Sequence, residues 1–147
     1  RGFLAEAAQS LRGGGLLIGV DLVKAPGLIT RAYDDEAGLT AEFNLNLLAH
    51  LNRAFDADFD LAEFRHHALW DARHARIEMQ LVSRCAQRVH LAGETLDFAA
   101  GEPLRTEYCH KYDVAGFAAL AREGGWRSVD VWTDARRWFS VHYLVGD

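Results

Sequence analysis

The sequence has only two cysteines, Cys85 and Cys109, and neither sits in metal-ligand or redox spacing. That excludes a cysteine-built centre and suits a reducing, cytoplasmic setting. Long apolar runs are also missing. The longest are short, as in LLIGV at 16–20, so no membrane span is expected. The N-terminal residues lack the continuous apolar core of a signal peptide, because Glu6 and Gln9–Ser10 interrupt it. Positive charge is scarce: 16 Lys and Arg stand against 21 Asp and Glu, a formal net charge of −5. A general nucleic-acid or acidic-membrane surface is therefore not expected. No internal repeat or low-complexity tract occurs. What is present is ordinary for a globular chain: 147 residues, half of them hydrophobic and a quarter charged. That is enough for one domain with a real core.

The order of elements is legible from periodicity. In RGFLAEAAQSLRGGG, Phe3, Leu4, Ala7, Ala8 and Leu11 fall at helical spacing before a glycine run. GLLIGVDLV at 15–23 is too short for a helix and predicts a buried, parallel strand. Residues 26–57 predict helices. Pro26 opens a short one that ends near Gly38, and Thr40 opens a longer one with Phe43, Leu47, Leu48, Leu51 and Phe55 on one stripe. Asp60 caps a further short helix, with Arg65–His67 and His74 as solvated helix-end residues. From residue 72 the period becomes two. RIEMQLVS, QRVHLAG and TLDFAAG then predict an antiparallel meander with turns at Gly93 and Gly101. A helix at 114–126 and two closing strands follow. The first strand and the last elements together suggest one α/β sheet, with the middle inserted beyond its carboxyl end, where open α/β sheets bind ligands.

The last strand of the meander, LRTEYCHKYD at 104–113, carries an unusual alternation. Leu104, Thr106, Tyr108 and His110 fall on one face, and Arg105, Glu107, Cys109 and Lys111 on the other. A polar face with a small sulfur residue at its middle suits either water or a ligand. Cys109 and His110 are adjacent on a strand and face opposite ways, which argues against a metal pair. On periodicity alone Phe43 and Met79 would be core residues, and Glu107 a solvated carboxylate.

A series of motifs then converges. LRGGGLLIGVD resembles the helix end, glycines and fifth strand of Rossmann-like S-adenosylmethionine methyltransferases. LIGVDLVK, AYDDEAGLTAEFNLNLL, RIEMQLVS, AAGEPLRTE with a lysine four residues on, and GWRSVDVWTD followed by FSVHYL, in that order, resemble the C-terminal half of the histidine-specific Nα-methyltransferases. The resemblance runs over essentially the whole chain. It implies formation of hercynine from L-histidine, on the route to ergothioneine. It implies an α/β fold in which residues 1–24 and 113–147 are the C-terminal part of a Rossmann-like core. Residues 25–112 are then an inserted α+β substrate-recognition region. It implies a substrate pocket built from Phe43, Met79, Glu107 and Cys109, with Glu107 accepting an imidazole N–H. Where this chain has Cys109 the family usually has Ser, and a thiol is the weaker hydrogen-bonding group. No residue is marked as catalytic, as cofactor-binding or as a metal ligand.

The methyl donor would be S-adenosylmethionine, with its site mostly outside these residues. No Glu/Asp-x-Gly-x-Gly loop occurs, and the glycines of RGGGLLIG precede a strand rather than follow one. The chain is therefore expected to be part of a longer enzyme. Made alone, it is expected to be inactive and self-associated for want of an N-terminal half. Other readings of the same residues are a non-catalytic amino-acid-binding module, a subunit needing a partner chain, or a methyltransferase for a different small amine.

Overall fold

The computed structural model describes residues 2–146. Contacts divide the chain into two units, Arg1–Lys24 with His110–Asp147, and Ala25–Cys109. Each is a mixture of helix and antiparallel sheet.

In the first unit, helix α1 (Gly2–Ser10) leads into strand β1 (Gly15–Asp21). Helix α4 (Val114–Glu123) and strands β7 (Trp126–Thr133) and β8 (Phe139–Gly146) complete it. The sheet order is β1-β8-β7, and β8 is antiparallel to both neighbours. The expected parallel, fully buried strand at 15–23 is thus corrected. An apolar run reports burial but not the direction of its partner. β1 alternates between exposed and covered residues, with only Val20 fully buried within it. Leu4, Val20, Phe117, Ala121, Trp126 and Leu144 form the core. The Trp126 indole donates to the Leu4 carbonyl at 2.8 Å, which ties α1 to the start of β7. Asp113 caps α4 by accepting from the Gly116 amide. On the opposite face of the sheet, Leu17, Trp132, Phe139 and Tyr143 remain exposed. There the Tyr143 and Phe139 rings lie close over Gly15 and Gly19, where an added Cβ would come within 2.8 and 2.6 Å of them.

The second unit begins with helices α2 (Pro26–Tyr33) and α3 (Leu39–Phe55). Pro26 occupies the first turn of α2, as its fixed φ favours. α3 is capped not from Thr40 but from Asp35, whose carboxylate accepts from the Leu39 and Thr40 amides at 3.1 and 2.8 Å. Hydrogen bonds from Thr40, led by its side chain, hold the Asp35 pKa down to about 2. Asp60 caps a single 3₁₀ turn at Leu61–Glu63, as expected. Strands β2 (Phe64–Asp71), β3 (Arg76–Ser83) and β6 (Pro103–His110) form one sheet in the order β2-β3-β6. Strands β4 (Gln87–Leu91) and β5 (Glu94–Phe98) form a separate hairpin.

Two expectations change here. Arg65–His67 lie inside β2, not at a helix end, because FRHHALWD pairs along its whole length with β3. The meander is also interrupted: period-two alternation marks strands but not their neighbours, so β6 joins β3 across the intervening hairpin. The helical stripe is likewise reduced. Leu48 is fully buried, while Phe43 is 69% exposed and Phe55 is also exposed. The core of this unit gathers Leu48, Leu81 and Val89 around Phe59, Phe64 and Phe98. These three rings meet edge to face with centroids 5.4–6.4 Å apart.

Candidate functional site

A cavity of about 350 Å³ opens in the second unit. That falls in the range of small-molecule sites. Three elements wall it. α3 contributes Phe43, Asn44 and Leu47, β3 contributes Met79, and β6 contributes Thr106 and Glu107. Each wall has a local cause. α3 starts where Asp35 fixes its first turn, which sets the phase that turns Phe43 and Leu47 toward the opening. Met79 packs with Ile29 and Ile77 in a small buried cluster, so this flexible thioether stands on a fixed base. The Thr106 hydroxyl donates to the Met79 carbonyl at 3.0 Å, which clamps β6 to β3 beside the cavity.

The lining is mostly apolar, with a carboxylate at its rim. Glu107 is exposed. Among the described residues no hydrogen bond or ion pair engages its carboxylate, which leaves both oxygens available as acceptors. Such a site can hold a flat, partly apolar group against Phe43 and Met79 while Glu107 accepts one N–H.

Cys109 is not among the lining residues. Its sulfur accepts a hydrogen bond from the Tyr33 hydroxyl at 2.9 Å. The Tyr33 ring in turn packs against the Ile29–Ile77–Met79 cluster. The structure therefore brings Phe43, Met79 and Glu107 together and places Cys109 one contact behind them.

Comparison with known proteins is decisive at this point. Residues 1–145 match the family model described as "Histidine-specific methyltransferase, SAM-dependent". The chain belongs to that family. The histidine N-alpha-methyltransferase of Mycolicibacterium smegmatis is 48% identical over 146 residues, covering 97% of this chain and 46% of the relative. That of Mycobacterium tuberculosis is 42% identical over 135 residues, covering 90% of this chain and 42% of the relative. The chain thus spans less than half the length of the curated histidine methyltransferases it matches.

Membership in the histidine-specific methyltransferase family explains which residues sequence reasoning found and which it missed. The motifs led to Phe43, Met79 and Glu107. They did not lead to Asn44, Asn46, Leu47, His50 or Thr106, which also line the cavity. One signal was available for Asn44. It lies one turn before Leu48 on the inward side of α3, and a polar residue on a buried row calls for a partner. Its side-chain nitrogen contacts His66 Nδ1 at 3.0 Å and donates to the Gln80 carbonyl at 3.2 Å. His66 Nε2 lies 2.7 Å from the Tyr33 carbonyl. Cys85, the other thiol, has its pKa raised by a hydrogen bond with Glu63, which suits an unreactive role.

The first unit holds its own polar cluster at the carboxyl end of β1. The Asp21 carboxylate lies between Lys24 and the buried Lys111, whose ammonium is 2.7 Å from Oδ2. Burial alone would raise the Asp21 pKa, but hydrogen bonds from Lys111 and Lys24 leave it lowered overall. No glycine lies between β1 and α2. The glycines at 13–15 stand at the amino end of β1.

Proposed function

We propose that this chain is the C-terminal, side-chain-reading part of an enzyme that transfers a methyl group from S-adenosylmethionine to the α-amine of L-histidine. The product would be hercynine, and the setting cytoplasmic ergothioneine synthesis. The observation that carries the reading is the convergence of Phe43, Met79 and Glu107, from three separate elements, on one cavity. Phe43 and Met79 would flank the imidazole, and Glu107 would accept a ring N–H. The second unit is then the inserted recognition region. The first unit is the end of a Rossmann-like sheet. Its outer strands, both antiparallel to β8, run in the same direction, as in a mostly parallel sheet that carries one antiparallel strand.

Methyl transfer of this kind is an in-line displacement. S-adenosylmethionine, held mostly by residues outside this chain, would supply the methyl group, and the residues here would hold the histidine ring so that its amine is placed to receive it. The main requirement of the transfer is placement of a neutral amine. Holding the ring fixes the amine, so Glu107 acts through orientation and ring-tautomer selection. The methyl donor's site would lie mostly outside these residues, in the part of the relatives' length that this chain does not span. Cys109 stands outside the lining with its sulfur hydrogen-bonded to Tyr33, and Glu107 is the lining carboxylate on which selectivity for a ring N–H would rest.

Calorimetry on the full-length protein tests this. Glu107→Ala is expected to weaken histidine binding by about 1.5–3 kcal/mol, the worth of one charge-assisted hydrogen bond, with cofactor binding unchanged. An unaltered histidine affinity would remove Glu107 from the site.

A further inference from the structure

Resting on the reading of the cavity as the imidazole pocket, we propose that His66 is a positioning residue that locks opposite walls of that pocket together through one ring tautomer. The side-chain nitrogen of Asn44 lies 3.0 Å from His66 Nδ1 and 3.2 Å from the Gln80 carbonyl. A carboxamide nitrogen carries two protons and accepts nothing. Both of its neighbours must therefore be acceptors, and His66 Nδ1 must be bare. The ring proton then sits on Nε2, which faces the Tyr33 carbonyl at 2.7 Å. One neutral tautomer then pairs a donor with an acceptor at each of these three contacts. Turning the Asn44 amide over would set its oxygen against the Gln80 carbonyl, two acceptors face to face. Asn44 is only 3% exposed, so water offers it little relief.

Both ends of this bridge reach the pocket. Asn44 lines the cavity beside Phe43 on α3. Tyr33, at the end of α2, takes the His66 proton on its carbonyl and passes a hydrogen bond from its hydroxyl to Cys109. Cys109 shares its strand face with Glu107. Four elements, α3, β2, α2 and β6, are thereby joined through one imidazole. The α3 wall that would hold the ring and the β6 wall that would bond it are held in mutual register. Loss of His66 leaves the lining residues in place chemically and loosens their spacing, which a positioned reaction registers strongly.

The test uses the full-length protein and three variants. His66→Asn keeps an acceptor near the Nδ1 position, and His66→Gln keeps a donor near the Nε2 position. His66→Ala keeps neither. The alanine variant is expected to raise the KM for histidine roughly tenfold, as loss of a buried hydrogen-bond pair implies, with the cofactor Kd unchanged. Each conservative variant is expected to recover part of that loss. Ring nitrogen NMR of the wild type is expected to show His66 neutral and protonated on Nε2. A lowered Tm with an unchanged histidine KM would make His66 merely structural and overturn the proposal, as would an Nδ1–H ring. Failure of the wild type to methylate histidine would sink the pocket reading instead. The ring tautomer would then still decide the bridge.

Discussion

The two units solve the problem of covering a sheet differently. The second closes on itself. β3 is buried on both faces, and three phenylalanines lock the hairpin, the loop before the 3₁₀ turn and β2 around a common centre. The first covers only one side of its sheet, with α1 and α4, and leaves Leu17, Trp132, Phe139 and Tyr143 on the other. Monomeric proteins seldom leave so contiguous an apolar surface bare. The second unit builds a closed core from local contacts. The open sheet face is suited to packing against further structure.

The largest effect should come from breaking the closed core. Phe64→Ala removes the ring shared by two of the three aromatic contacts and is expected to cost about 3–5 kcal/mol in urea unfolding. Leu17→Ala on the open face should stay within about 0.5 kcal/mol. A similar loss at both positions would erase the distinction between the units.

Acid should separate the units next. His142 in the first unit is fully buried, its Nδ1 has no hydrogen-bond partner among the described residues, and burial lowers its pKa from 6.5. The unfolded chain binds this proton more readily than the folded one. The stability that goes with neutral His142 is therefore complete above pH 6.5 and declines as the pH falls below it. Amide exchange on either side of that pH should show protection falling first in the strands around β8. Equal loss in β3 would contradict the assignment to His142.

A smaller effect concerns the open face. The 147-residue chain made alone should self-associate, and Leu17→Lys with Trp132→Lys should reduce its mass in light scattering. A compact monomer before mutation would show that the face is tolerated bare. The smallest effect is expected at Cys109→Ser. With Tyr33 still able to donate to the hydroxyl, histidine affinity should hold or tighten. A large drop in Tm would instead place Cys109 in the core.

Much of this architecture was readable before the structure. α3, β3, the Asp60 cap and the glycine turns follow from periodicity and local chemistry. β2 did not, because Arg65, His66 and His67 mask its alternation. Nor could pattern reveal that β8 runs antiparallel beside β1, since strand direction is settled by residues more than a hundred positions away. At the site, Phe43, Met79 and Glu107 came from motif resemblance and not from hydrophobic pattern. Asn44 and His66 stayed hidden because each looks unremarkable until its partner from another element is beside it.

The rings over Gly15 and Gly19 carry a last consequence. At those two places β1 has no side chain of its own, and Tyr143 and Phe139 from β8 supply the cover. Tolerance to change along this strand is therefore inverted. A single methyl at Gly15 or Gly19 must displace an aromatic ring. The far larger Leu17 between them, 65% exposed, can be exchanged at small cost. A mutational scan of β1 would find its two emptiest positions on this face less tolerant than the large Leu17 between them.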